Sequence, residues 1–318
     1  MARTEPDWTL YRAFLAVIEE GSLSGAARRL GVAQPTVGRH VAALEEALAV
    51  QLFLRSQNGL EPTEAARELV PYLRTMAATE AALRRTASGS SGALSGTVRI
   101  SASEVIGIKV VPEILRGLRR RHPDLVVELA ISNTLQDLLH READIAVRMV
   151  EPTQGALVVR RAGAVALGLH ARPDYLDRRG RPSSLQDLAR HDVIGFDKVT
   201  PWIRKLVGSV PQFDTSRFAL KTDSDLAQFE AIAAGFGIGV CQVQLGRRAG
   251  LVRLLEREFD LKLPTFVVMH ENLRSTPRCR AVFDELVVGL LDYLREEKDA
   301  AASGAEASPA PYSAAEGE

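Results

Sequence analysis

Between Leu23 and Glu46 the spacing of small, turn-forming and apolar residues admits little besides two short helices joined by a tight turn. Ala27 is small enough for the two helices to cross closely. Gly31, four residues on, stands where the turn needs a positive φ that only glycine adopts cheaply. Pro35 falls at the first position of the second helix, where its missing N–H costs nothing. Val37, Val41 and Leu44 then recur at helical spacing and define an inner face. Thr36, Arg39 and His40 fall off that face and are free to meet a ligand such as DNA. The unit reads as a helix-turn-helix.

The flanking residues extend it. Leu10, Phe14, Leu15 and Ile18 predict a supporting helix over Trp8–Glu20, ended by Gly21-Ser22, with Ser22 able to cap the next helix. Asn58-Gly59 between short apolar runs predicts a hairpin, which would be a wing. Thr63 caps a helix running from Glu64 to about Arg85. Its apolar positions Leu69, Leu73, Met76 and Leu83, with Glu80 among them, make a narrow seam. On a helix of roughly 33 Å such a seam is read as a dimerisation surface rather than a contact with the following domain. A hinge rich in Ser, Gly and Ala follows at 87–96.

From Thr97 the pattern alternates strands and helices. It predicts one helix over Val105–Arg121, a buried strand over Leu125–Ile131, a short helix over Leu135–His140, and mainly parallel sheets. Gly235-Phe-Gly-Ile-Gly follows a helix and precedes a strand, the wrong order for a phosphate cradle, and reads as a turn. The tail from Lys298 has the composition of a disordered segment.

Charge narrows the function less than placement does. The chain of 318 residues has formal net charge zero. Within 1–66, eight acidic residues outnumber six arginines. Bulk electrostatics give no argument for nucleic acid, but Arg28, Arg29, Arg39 and Arg55 cluster around the helix pair. No apolar run reaches the ~18 residues of a membrane span, and the first residues do not resemble a secretory signal, so the expectation is a cytoplasmic protein without a membrane partner. The six histidines show no metal-ligand spacing; no cofactor or metal is expected. Cys241 continues an apolar run and reads as a buried structural thiol rather than half of a redox pair with Cys279.

The string Ala26-Ala-Arg-Arg-Leu-Gly-Val-Ala-Gln-Pro-Thr-Val, with Leu52-Phe, Arg55 and Leu60-Glu-Pro-Thr-Glu-Ala, resembles the LysR-type transcriptional regulators. Further strings, His122-Pro-Asp, Ala143-Asp-Ile-Ala-Val-Arg, Gly235-Phe-Gly-Ile-Gly and Ser275-Thr-Pro-Arg, also look like that family, over about residues 8–296. The resemblance implies a winged helix-turn-helix over 1–66, a linker helix over 63–86, and an α/β effector domain over 97–297 built like a periplasmic solute-binding protein. Its subdomain I would comprise 97–163 and 268–297, its subdomain II 164–267, and 298–318 would be the tail. It also implies dimers and tetramers, operator DNA and a small-molecule effector as partners, and RNA polymerase as a further one. Two residues depart from the pattern: Ala33 and Gly38 stand where the family usually has Ser.

Two sets of candidate residues follow. Gln34, Thr36, Gly38, Arg39 and His40 would face the major groove, where Arg39 suits guanine and Gln34 adenine; Arg55, Thr63, Arg28 and Arg29 would hold phosphates. Open parallel sheets bind ligands beyond the carboxyl ends of their strands, which here carry Ser101, Ser103, Asn133, Thr134, Arg148, Asp197, Thr200 and Trp202. Glu104 at the same helix start either complements the helix dipole from solvent or faces the cleft, where it would disfavour an anionic effector. A solute-binding protein or an enzyme using the α/β region alone is the alternative. An enzyme would need a nucleophile elbow, a metal cluster or an oriented Ser/His/Asp set, which the sequence lacks.

Overall fold

A computed structural model of the chain describes residues 5–56, 59–87, 94–133, 143–152, 157–198, 216 and 218–304. These form two compact units, one carrying the N-terminal helices and hairpin, the other the strands and helices that follow the hinge.

In the first unit, α1 (Trp8–Glu20) begins at Asp7, whose carboxylate accepts from the Thr9 N–H at 2.7 Å, and ends at Gly21 with φ 66°. Ser22 caps α2 (Leu23–Leu30) by accepting from the Gly25 N–H at 3.1 Å, and Gly31 takes φ 68° to close it. The second reader helix, α3 (Gln34–Leu48), starts one residue earlier than expected, so Pro35 lies inside its first turn. β1 (Phe53–Ser56) and β2 (Gly59–Pro62) pair antiparallel, Ser56 opposite Gly59. The long helix α4 (Glu64–Ala87) follows. Phe14, Val37, Leu44, Leu52 and Ala66 are fully buried together, so α1, α3, the hairpin and α4 share one core.

That core corrects the seam. Leu73 is buried in it and Leu69 packs against it, so these two face inward instead of toward a second chain. Glu80 accepts from the Trp8 indole N–H at 3.3 Å and pairs with Arg84 at 2.6 Å. Both contacts hold its carboxyl below the usual range, the Trp8 hydrogen bond most of all. The exposed apolar stripe is Tyr72, Met76 and Leu83, at 72%, 47% and 64% exposure. A four-residue period alone cannot say which side the core lies on.

The second unit is organised around one mixed sheet in the order β10-β6-β11-β5-β3-β4, with β9 pairing β6. Its strands are β3 (Gly96–Ala102), β4 (Leu125–Ile131), β5 (Ile145–Arg148), β6 (Leu157–Ala171), β9 (Gly239–Gln242), β10 (Val252–Leu254) and β11 (Leu261–His270). Only β3–β4 and β3–β5 are parallel; β6, β9, β10 and β11 pair antiparallel, which corrects the expectation of mainly parallel sheets. A small parallel pair, β7 (Ile194–Gly195) and β8 (Leu220–Lys221), is tied to the start of β9 by a parallel bridge between Val193 and Ile238.

Two long antiparallel strands make the crossover between subdomains. β6 and β11 pair along almost their whole length, with an irregularity between Thr265 and Phe266 where Gly163 faces Thr265. Gly163 has φ 133° there, a conformation that favours glycine; a Cβ would also meet the movable end of Leu294, at 2.9 Å from its Cδ1. On β6, Ala162 before the bend and Val165 and Leu167 just after it lie in the core shared with β3 and β5, while Leu169 and Ala171 lie in the second core and the strand there pairs with β9 and β10.

Other local expectations change for identifiable reasons. The helix expected over Val105–Arg121 is two, α5 (Glu104–Lys109) and α6 (Val111–Arg121), broken at Val110; Pro112, in the first turn of α6, has no N–H for the Ile108 carbonyl, so a continuous helix would lose that bond and meet the ring. β4 is an edge strand, not a buried one: Leu125 is buried, but Val126, Leu129 and Ile131 are exposed. Among the described residues the α-helices of the second subdomain are α7 (Pro173–Arg179), α8 (Asp225–Ala233) and α9 (Val243–Arg248). The last helix, α10 (Pro277–Gly304), runs past Lys298, where the alanine-rich sequence favours helix over the expected disorder. The helix expected over Leu135–His140 lies outside the described residues. Gly235 does make a helix-to-strand turn, with φ 77°.

Candidate functional site

On α3 the buried residues Val37, Val41 and Leu44 fix which side meets the core. At 100° per residue Arg39 then points nearly opposite, flanked by Ala42, Ala43 and Glu46. Arg39 is exposed, and its Nη2 donates to Thr36 Oγ1 at 3.4 Å, one turn back. Gln34 and His40 sit toward the flanks. The Ser24 hydroxyl donates to Gln34 Oε1 at 3.2 Å, binding the start of α3 to α2. His40 is half-buried and adds slightly to the depression of the Asp7 carboxyl, which the Thr9 N–H chiefly causes.

The remaining reader residues divide. Arg28 is exposed, whereas Arg29 is held by Glu19 at 2.6 Å and Glu20 at 3.3 Å. The Thr63 hydroxyl donates to the Gln51 carbonyl at 2.9 Å and accepts from the Ala66 N–H at 3.2 Å, so its donor is spent on the fold instead of a phosphate. Arg55 lies in β1, and its side chain falls outside the described residues. One contact escaped the sequence reading: Glu45 Oε1 accepts from the Leu52 and Phe53 N–H groups at 2.7 and 3.1 Å, anchoring the hairpin to the end of α3.

Ala33 supplies no side-chain cap to α3. At Gly38, an added Cβ would meet only Leu23 Cδ1, at 3.9 Å. Neither departure is therefore required by packing. Ala33→Ser and Gly38→Ala should each raise stability by about 1 kcal/mol, the first through the missing cap and the second through helix propensity. Thermal unfolding checks both; a loss of stability at Gly38→Ala would mean that the glycine is needed for a reason the packing does not show.

In the second unit, Ser101 and Arg148 end adjacent strands β3 and β5 and meet directly, Arg148 Nη2 donating to Ser101 Oγ at 2.6 Å. Both are almost wholly buried. Ser103 precedes α5 without capping it through its side chain. Asn133 Oδ1 accepts from the Glu104 N–H at 3.1 Å. Asp197 is held through its backbone, its N–H donating to the Thr222 carbonyl at 3.4 Å, and Thr222 Oγ1 in turn accepts from the Ser224 N–H. Thr134, Thr200 and Trp202 lie outside the described residues.

Glu104 neither points into solvent nor stands free in the cleft. Its Oε1 accepts from the Ser224 hydroxyl at 2.9 Å and its Oε2 from the Leu226 N–H at 3.1 Å, so a residue of α5 caps the start of α8. The neighbouring Asp225 carboxyl is pushed up to about 6, by burial first and by the Glu104 charge second. Ser224 also caps α8 locally, accepting from the Ala227 N–H at 3.0 Å, so the helix start has a second cap supplied from 120 residues away.

The cysteines belong to the core. Cys241 is buried 3.3 Å from His170 Nδ1, and burial pushes its thiol up to about 12; burial likewise pushes His170 down to about 4. A thiol so protonated is a poor nucleophile. Cys279 is buried as well. Among the described residues no group of His, Cys, Asp and Glu could hold a metal ion, and no helix is long and apolar enough to cross a membrane.

Comparison with known proteins matches residues 8–67 to the bacterial regulatory helix-turn-helix proteins of the lysR family and residues 91–289 to the LysR substrate binding domain. The transcriptional regulator PgrR of Escherichia coli is 30% identical over 183 residues, which cover 57% of this chain and 61% of PgrR. The chain thus spans somewhat over half the length of the curated relatives it matches. In fold it is similar to full-length CbnR complexed with its target DNA, with TM-score 0.61 at 19% identity, covering 89% of this chain and 99% of that one. The Vibrio cholerae virulence activator AphB gives TM-score 0.58 at 20% identity, over 89% of this chain and 99% of AphB. A lysR-family helix-turn-helix followed by a LysR substrate binding domain, the latter alone matching more than half of the chain, makes this protein a member of the LysR-type transcriptional regulators.

Proposed function

We propose that the chain is a ligand-responsive transcriptional regulator that works on DNA in the cytoplasm, as a dimer or a tetramer of it. The observation that carries this is the placement of Arg39: outward on a helix whose entry, turn and inner face are all fixed by the first unit's core. The exposed stripe of Tyr72, Met76 and Leu83 on α4 supports self-association, since apolar side chains at that spacing suit a second helix. Gln34, Thr36, Gly38 and Arg39 are assigned to bases, Arg28 and the wing to phosphates, and the polar ends of β3 and β5 with Asn133 and Asp197 to a small-molecule effector. The solute-binding and enzymatic alternatives use the second unit alone and leave the helix-turn-helix without a role. In this reading the chain catalyses nothing, and contact with RNA polymerase follows from operator binding.

Footprinting on the DNA upstream of its own gene tests the proposal. The expected result is a protected site with two dyad-related half-sites, separated by whole helical turns of roughly 34–36 Å. Absence of specific protection there and in a genome-wide binding selection overturns it.

A further inference from the structure

The second unit's subdomains are joined covalently only through its crossover strands, yet their helices also meet through charged side chains. Glu104 of α5, in the subdomain of β3, places both carboxylate oxygens on the start of α8 in the other subdomain. One turn along the same pair of helices, Lys109 Nζ lies 2.9 Å from Glu230 Oε1 and 5.3 Å from the Phe229 ring centre. Arg248 of α9 meets Glu113 of α6 at 3.1 Å. The first two of these ties start from α5, the helix that directly follows the strand end carrying Ser101.

Of the three, the Glu104 contact is chemically distinct. It satisfies one of the amides that a helix start leaves without an intrahelical partner, and puts negative charge at the positive end of the helix dipole. It is also the contact crowded by a second carboxylate, that of Asp225, the first residue of α8. The other charged groups about this junction are Lys109 on α5, Glu230 on α8, and Asp223, Lys198 and Asp197 in the segments leading to it, with Lys198 3.3 Å from Asp223. Asn133, which accepts from the Glu104 N–H, is neutral.

We propose that Glu104 is a latch that closes the effector cleft by capping α8 from the opposite subdomain, and that Asp225, which stands between the Ser224 and Leu226 that Glu104 holds, makes this closure pH-sensitive. The inference deepens the regulatory reading above and rests on the cleft being the effector site. An effector then acts on a cleft whose closed state is already held by the chain's own carboxylate, and shifts the balance between closed and open.

The direction of the pH effect follows from the proton balance. Opening separates Asp225 from Glu104 and exposes it to water, returning its carboxyl toward the ordinary 3.8 from about 6. Between those values the closed state binds more protons than the open one. Closure is therefore strongest on the acid side, and that part of it is lost as pH rises through about 6 and Asp225 ionises.

The test uses full-length protein spin-labelled at Arg120→Cys on α6 and Asp177→Cys on α7, both exposed positions, while Cys241 and Cys279 are buried. Labelled chains are diluted into excess unlabelled chain, so that pulsed dipolar spectroscopy reads distances within one subunit. From about pH 5.5 to about pH 7.5, either side of the Asp225 titration, the distribution is expected to gain a longer-distance population. Glu104→Ala is expected to show that population at both pH values, and Glu104→Gln, which keeps an acceptor oxygen without the charge, a smaller one. Asp225→Asn is expected to stay closed at both. A Glu104→Ala distribution that superposes on the unsubstituted chain, or a pH shift that survives in Asp225→Asn, overturns the latch. The readout requires no effector. If these distances behave as stated while no compound in a small-molecule screen alters them, the latch stands and the effector reading falls. If the substitutions change nothing but a compound still closes the cleft, the reverse holds.

Discussion

Arg39→Ala should weaken binding to the footprinted operator by about 1–3 kcal/mol per half-site, roughly five- to 150-fold, and relax discrimination at one base pair of each half-site. The argument is one of availability. Arg39 points away from the α3 core, and its recorded hydrogen bond, to Thr36, is long at 3.4 Å. It makes no ion pair among the described residues, so its guanidinium can present two donors to one guanine edge. Arg29 is the contrast: Glu19 and Glu20 already hold it, and Arg29→Ala should cost less and cost it uniformly across sequences. Fluorescence anisotropy against the operator and its single-base variants separates the two. Equal losses of Arg39→Ala on operator and unrelated DNA would reassign Arg39 to a phosphate.

Why Arg39 could be read from sequence, and Gln34 and His40 less well, is instructive. The helix period says which residues oppose the core, and it places Arg39 without ambiguity. Flank residues depend on neighbours in other helices: Ser24 engages Gln34, and His40 lies near the N-terminus of α1. Helix ends were legible for the same local reason, since Ser22 and Gly31 act within a turn of themselves. The break at Val110 was also written locally, in Pro112, but an apolar period running through both halves concealed it.

Longer-range features were legible only in part. Alternating strands and helices announced an α/β unit, but strand direction depends on partners, and β6 and β11 turned out to be long antiparallel strands that traverse both subdomains. The α4 seam shows the same limit: Leu69 and Leu73 have the spacing of a dimer contact and are used by the chain's own core. Glu104 is the sharpest case. Solvent-facing dipole partner and cleft carboxylate were both reasonable readings, and the residue instead caps a helix whose sequence lies far downstream.

Phe14→Ala should be the most destabilising single change in the first unit, at about 3–5 kcal/mol, against a typical whole-domain stability of about 5–15 kcal/mol. Phe14 is fully buried on α1, and its ring lies 5.4 Å from that of Phe53 at a 50° tilt. It therefore joins the supporting helix to the strand that opens the hairpin, the same strand that Glu45 anchors from the end of α3. Truncation leaves a cavity where three elements meet, and the orientation of α3 depends on all three. Chemical denaturation in a Trp202→Phe background, followed by the fluorescence of Trp8, reports the loss, because the Trp8 indole donates to Glu80 within this unit. Operator affinity should fall along with it, although residue 14 is fully buried and touches no DNA. Phe14→Leu keeps most of the volume and should cost less than about 1.5 kcal/mol. If Phe14→Ala unfolds within about 1 kcal/mol of the unsubstituted chain, the α1–hairpin contact is not what holds the reader in place, and the anchoring must be sought in Glu45 and the capped end of α4.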